Sequence, residues 1–163
     1  MGLRTAMGVM GVVVLVTGCG GAGDAFKQPD VKLDRVVLRG AGLTGGTLDL
    51  VVNVNNPNGF DLRGTKLAVG FDVEDSHVGD VEYTDAYEVR KHETTTLTLP
   101  LRFNWSGVGG GLRTALGYGD LPYKMRGQLT LEVPGGRRVV PFSLEGRAPL
   151  SKIGGALPIP GTR

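Results

Sequence analysis

The side chains able to do chemistry in this chain are few and scattered. His77 and His92 are the only histidines. Neither belongs to a His-x-x-x-His pair or an Asp/Glu/His cluster, whereas metal sites commonly need three or four ligands. Ser76, Ser106, Ser143 and Ser151 lack the Gly-x-Ser-x-Gly surround of a nucleophile elbow. Triads assemble in space, so spacing alone does not decide that question. Gly40-Ala-Gly-Leu-Thr-Gly45 matches G-x-G-x-x-G, with Asp61 downstream where a ribose-binding acid would lie. A dinucleotide loop must open a helix whose N-terminus meets the pyrophosphate. Here the chain runs into an alternating segment, Thr47–Asn55, so a Gly-rich hairpin loop is expected. Gly107 to Gly111 lacks the Gly-Lys-Ser/Thr of a phosphate loop. The sequence therefore gives no catalytic residue, no metal site and no cofactor. Trp105, in Asn104-Trp-Ser106, is expected to close a core rather than hold a ligand.

Cys19 is different. It is the only cysteine, which excludes an internal disulfide and a multi-Cys metal site. Arg4 precedes an uncharged apolar run from Ala6 to Val16. That run suits a signal h-region and is too short to cross ~30 Å of hydrocarbon as a helix. It closes in Val16-Thr17-Gly18-Cys19, an aliphatic residue and two small ones before the cysteine, which resembles the bacterial lipobox. In such a segment the thiol takes diacylglycerol, and a peptidase cuts between Gly18 and Cys19. The small residues let that peptidase reach the backbone. Each buried acyl methylene contributes ~0.8 kcal/mol, so two or three chains hold nearly permanently. The expected order is a signal peptide over 1–18, a lipidated flexible tether over 19–29, a domain over 30–150 and a tail over 151–163. Gly20 rather than Asp after the cysteine favours the periplasmic side of an outer membrane, where the cell has one. The expected partners are the membrane, through the anchor, and envelope proteins or lipids.

The domain that follows alternates with period 2. Leu48, Leu50, Val52 and Val54 share one face, as do Leu67, Val69, Phe71 and Val73; Leu97 to Phe103 and Tyr123 to Val133 repeat the pattern. Successive side chains of a strand point to opposite faces, so each segment has one oily and one wet face, as in antiparallel sheets. Weaker strands are expected at 30–39, 76–84 and 138–147. Gly45-Gly46, Asn56-Pro57-Asn58-Gly59 and Pro134-Gly135-Gly136 mark turns, the last a hairpin. Pro100 and Pro141 inside strand patterns belong at edges or bulges. Leu112, Ala115, Leu116 and Tyr118 predict a short helix over 108–118. The 28 glycines exceed the usual share and suit tight turns, where φ is positive. The expected fold is all-β: a seven-stranded antiparallel β-sandwich, fibronectin III- or immunoglobulin-like, with one short helix. The formal charge of +2 gives no basic stripe, hence no expectation of nucleic acid.

Asn53-Val-Asn-Asn-Pro-Asn-Gly-Phe60, an alternating strand ending in Asn56-Pro57-Asn58, resembles the late-embryogenesis-abundant group 2 family, also called water-stress-and-hypersensitive-response domains. Val78-Gly79, Leu97–Phe103, Tyr123-Lys-Met-Arg-Gly127 and Val140-Pro-Phe142 resemble its later strands in order, covering about residues 31–150. Pro57 fixes φ, and Asn58-Gly59 is expected to turn left-handed, with the Asn side chains bonding the loop backbone. The motif is thus expected to be structural. The resemblance implies a non-enzymatic envelope lipoprotein that protects under desiccation or osmotic stress. The alternative is a carrier of lipid or another hydrophobic ligand. An apolar groove would favour carriage; a filled core would favour protection.

Overall fold

The computed structural model describes residues 25–108 and 110–152. Eight strands and one helix follow in order: β1 (Asp30–Ala41), β2 (Gly45–Asn55), β3 (Leu62–Val73), β4 (Ser76–Tyr83), β5 (Tyr87–Val89), β6 (Thr94–Asn104), α1 (Gly110–Tyr118), β7 (Asp120–Val133) and β8 (Gly136–Lys152). The alternating segments all form strands. In β6, Leu97, Leu99, Leu101 and Phe103 are buried while Thr98, Pro100 and Arg102 between them are exposed.

The sheet runs β4-β3-β7-β8-β1-β2-β6, with β5 added to the start of β3. Strand β8 joins two halves. Its first fourteen register positions pair antiparallel with β7, and its end pairs parallel with β1 at Val36↔Leu150 to Leu38↔Lys152. The terminal strands β4 and β6 nearly close the sheet: a Cβ on Gly79 would lie 3.0 Å from the Arg102 carbonyl oxygen. Three features of the expected sandwich are therefore corrected. The strands number eight, because β5 is only three residues long and carries too little alternation to be read. One pair is parallel. The halves are one nearly closed, barrel-like sheet rather than two separate ones.

The core is one cluster to which every element contributes. Leu48 and Leu50 of β2, Leu99 and Leu101 of β6, Phe71 of β3 and Met125 of β7 are fully buried. Helix α1, in place of the expected 108–118, adds Leu112 and Leu116 beneath one end of the sheet. Pro100 lies on terminal strand β6. Pro141 lies where β8 pairs only with β7, so each proline sits where a missing N–H disrupts little. The Pro134-Gly135 loop joins β7 to β8, with Gly135 at φ +97°. Gly45 and Gly46, expected as a turn, lie inside β2.

The glycines are placed for a second reason besides turns. Among the described glycines only Gly119, Gly135 and Gly136 have positive φ. Three others sit in strands directly opposite an aromatic ring: Gly46↔Phe103, Gly64↔Tyr87 and Gly127↔Phe142. A Cβ on Gly64 would lie 2.0 Å from the Tyr87 ring, and one on Gly127 would lie 2.5 Å from that of Phe142. The ring occupies the space of the missing side chain and restores the apolar area that glycine lacks.

Candidate functional site

The Asn56-Pro57-Asn58 loop leaves β2 and crosses to β3, and it must bury polar side chains to do so. Asn56 is fully buried and Asn58 is 2% exposed. Every polar atom of both side chains has a partner. Asn56 Nδ2 donates to the carbonyls of Phe60 (2.8 Å) and Val89 (3.0 Å). Its Oδ1 accepts from the Asn58 backbone N–H and from Asn58 Nδ2, both at 2.9 Å. The Asn56 backbone N–H donates to Glu93 O at 2.9 Å, tying the loop to the turn between β5 and β6. The amide of Asn56 thus replaces the ladder bonds that the backbone gives up as it leaves the sheet.

Asn58 faces the other way and holds the chain's incoming segment. Its Oδ1 accepts from the Lys27 backbone N–H at 2.7 Å, and its Nδ2 donates to Lys27 O at 2.8 Å. Phe26 packs partly buried against the core, and Pro29 is buried. The loop therefore clamps the point where the polypeptide enters the domain. Two expectations are corrected here. Asn58 does not turn left-handed, since the only non-glycine residues with positive φ among those described are Glu74 and His92. Its side-chain bonds, not its φ, account for an asparagine at this position. The expected tether over 19–29 does not run free to its end, because residues 26–29 are docked. Phe26 and Pro29 in an otherwise polar and Gly-rich run were the available signal. Gly18 and Cys19 lie outside the described residues.

Elsewhere the candidate chemistry resolves into surface structure. Gly40 to Gly45 is the β1–β2 hairpin, and Asp61 caps a turn by accepting from the Lys91 N–H at 2.8 Å. His77 Nδ1 lies 2.7 Å from Asp72 Oδ1 and its Nε2 lies 3.1 Å from Asp80 Oδ2. The hydrogen bond to Asp72, then that to Asp80, raise its pKa above the usual histidine value. Its two nitrogens point to opposite carboxylates, so the three groups do not converge on one point. No group of three His, Cys, Asp or Glu side chains able to hold a metal occurs among the described residues. Trp105 packs on Phe103 with ring centroids 4.9 Å apart. A surface concavity of about 930 Å³ lies over β3, β4, β7 and β8, lined by Lys66, Asp80, Glu82, Arg126, Gln128 and Phe142 among others. It is wide open, and its lining is more apolar than polar: Ala68, Val69, Val81, Val139, Pro141 and Phe142 lie alongside the charged side chains. The interior beneath it is filled by the core.

These features define a mostly β protein with one short helix among the described residues, in which the buried polar constellation at Asn56 and Asn58 serves the fold. The family described as late embryogenesis abundant protein (LEA_2) has a model that matches residues 51–146. That span exceeds half of the 163 residues, and the chain belongs to this family. No curated protein matches it. A solution structure from Arabidopsis thaliana is similar at 20% identity and TM-score 0.63, covering 80% of this chain and 87% of the other. A crystal structure from Archaeoglobus fulgidus aligns at 17% identity and TM-score 0.48, covering 74% and 94%. The Arabidopsis likeness supports the fold; the sequence family supports a stress-related role.

Proposed function

We propose that this protein is a lipid-anchored, non-enzymatic member of its family, held to a bacterial envelope at Cys19 and protective during desiccation or osmotic stress. Family membership over residues 51–146 is the observation that carries the protective role. The Val16-Thr17-Gly18-Cys19 segment supports the anchor, and Gly20 favours the periplasmic side of an outer membrane. Only eight positions separate Cys19 from the clamped Lys27, a reach of at most ~30 Å. An acylated Cys19 would thus keep the Asn56-Pro57-Asn58 end of the domain close to the bilayer. Work of this kind rests on contacts rather than on perturbed acids and bases.

The alternative, carriage of a lipid or other hydrophobic ligand, has less support. A carrier buries most of its cargo in a largely apolar cavity. The concavity over β3, β4, β7 and β8 has a largely apolar lining, but it is wide open and also lined by Lys66, Asp80, Glu82 and Arg126, so it would cover one side of a ligand rather than enclose it. Radiolabelled palmitate should enter the wild-type protein and not Cys19→Ser, which should leave the membrane fraction. A strain lacking the gene, or carrying only Cys19→Ser, should survive drying and rewetting less well than wild type. Equal survival of all strains would refute the protective role, and lipid found bound in native mass spectrometry would favour carriage.

A further inference from the structure

At the end of the sheet opposite the clamp, the β1–β2 hairpin projects an apolar side chain into solvent. Leu43 is 96% exposed at its tip. The hairpin is braced from three sides. Gly42 N–H donates to Gly45 O at 2.7 Å, Trp105 N–H donates to Thr44 O at 3.0 Å, and Trp105 Nε1 donates to Gly42 O at 2.7 Å. Trp105 therefore bonds the backbone on both sides of Leu43. Its own ring is backed by Phe103, and the Arg113 guanidinium lies 5.1 Å from the ring centroid. At the same end, α1 finishes at Tyr118, which is 79% exposed.

An exposed leucine gains nothing in water, yet this one is held outward by a satisfied aromatic bracket. The tip is convex, so it fits a soft phase that closes around it rather than a partner surface needing a groove. Its residue types are those of a membrane interface: leucine for the acyl boundary, tryptophan and tyrosine for the headgroup level, arginine for phosphate. The charge agrees. Among the described residues, Arg102 and Arg113 have no carboxylate partner within 4 Å, while Asp49 of β2 and Asp120 of β7 are paired with Arg39 and Arg147. Glu74 and Asp75 lie on the separate β3–β4 hairpin, where Lys124 reaches Asp75.

We infer that the Leu43–Trp105–Arg113 tip inserts into the headgroup region of an anionic bilayer as a second membrane contact besides Cys19. The inference deepens the lipoprotein reading, on which the nearness of a membrane rests, but the tip needs no acyl chain to make its contact. Strand β2 spans about 35 Å between clamp and tip. Both ends touching one bilayer would lay the domain along the membrane surface.

Trp105 is the only tryptophan, so its fluorescence reports this tip alone. The probe is a set of phosphatidylcholine vesicles, with and without phosphatidylglycerol, some carrying brominated acyl chains, mixed with the purified unacylated full chain. In anionic vesicles Trp105 emission should move to shorter wavelength by several nanometres, and brominated lipid should quench it about twofold. Leu43→Ser, at a site that supports no packing, should remove most of that quenching, and Arg113→Gln should weaken it in anionic vesicles only. Sedimentation with vesicles while Trp105 is neither shifted nor quenched would assign binding to another segment and overturn the inference. So would full quenching of Leu43→Ser. A shift that grows with protein concentration without vesicles would identify a second copy as the occupant instead. Palmitate labelling is scored separately, so failure of the anchor and failure of the tip are distinguishable.

Discussion

Replacing Asn58 by alanine removes three hydrogen bonds: two with the Lys27 backbone and one to Asn56 Oδ1. A typical net contribution is about 0.5–1.5 kcal/mol per bond, which sets an upper bound of about 4.5 kcal/mol. The loss falls short of that bound for two reasons. Asn56 Oδ1 keeps the Asn58 backbone N–H at 2.9 Å, and the Lys27 amide is only part-buried, so water can take its groups once the segment lifts away. A loss of about 2 kcal/mol is expected, or roughly 6–10 °C in Tm for a domain of this size. Asn56→Ala should cost more, about 3–5 kcal/mol, because it strands the buried carbonyl of Val89 and the part-buried one of Phe60, and takes the acceptor from the buried Asn58 N–H. Urea unfolding gives both stabilities, and amide hydrogen exchange at Lys27 tells them apart. Asn58→Ala should expose that amide below the global unfolding transition, whereas Asn56→Ala should lower protection across β2, β3 and β5 together. An Asn58→Ala protein with unchanged Tm and a protected Lys27 amide would refute the clamp, and an Asn56→Ala cost smaller than that of Asn58→Ala would refute the ranking.

Gly64→Ala should destabilise by at least about 2 kcal/mol in urea melts, since its Cβ would fall 2.0 Å from the Tyr87 ring; an unchanged midpoint would refute the ring–glycine account. Tyr87→Phe should keep the ring in place and gain about 1 kcal/mol, because the Tyr87 hydroxyl is buried without a partner among the described residues, a burial that also pushes its pKa up. A clear loss of stability in Tyr87→Phe would show that the hydroxyl is satisfied. His77 has a folded pKa raised by Asp72 and Asp80, so its contribution is full below about pH 6.5 and disappears as pH rises through the folded value. The side chain is 55% exposed, so the effect is about 0.2–1 kcal/mol. His77→Gln should flatten that part of the Tm–pH curve, and parallel curves would remove His77 as its source.

What the sequence revealed and concealed follows from the range of each interaction. Alternation is local, so β2, β3, β6 and β7 were legible from their own residues, and the break at Leu112–Leu116 announced α1. Pairing across distant segments leaves no such mark. Nothing within β1 or β8 says that Leu150 will lie beside Val36 in a parallel rung, and three residues of β5 are too few to show a period. The glycines misled for the same reason, because Gly64 is explained by Tyr87 on another strand and not by its own neighbours. In the Asn56-Pro57-Asn58 loop, the motif's structural role and its side-chain bonds to backbone were legible. That Asn58 holds Lys27, thirty-one residues earlier, was not.

The clamp also determines how the molecule carries load. A pull on the chain from its N-terminal side meets the packed Phe26 and the Asn58–Lys27 pair first, then enters β1 at Asp30. From there β1 is bonded to β2 along Asp30–Ala41 and to the end of β8 at Val36–Leu38. A force along the strand axis strains the rungs to β2 and β8 together in shear rather than unzipping them one by one. Resistance to forced unfolding is set by the unfolding rate rather than by equilibrium stability. The entry point of this domain is thus built as a mechanical joint, with two asparagine–backbone bonds as the sacrificial link ahead of the sheet.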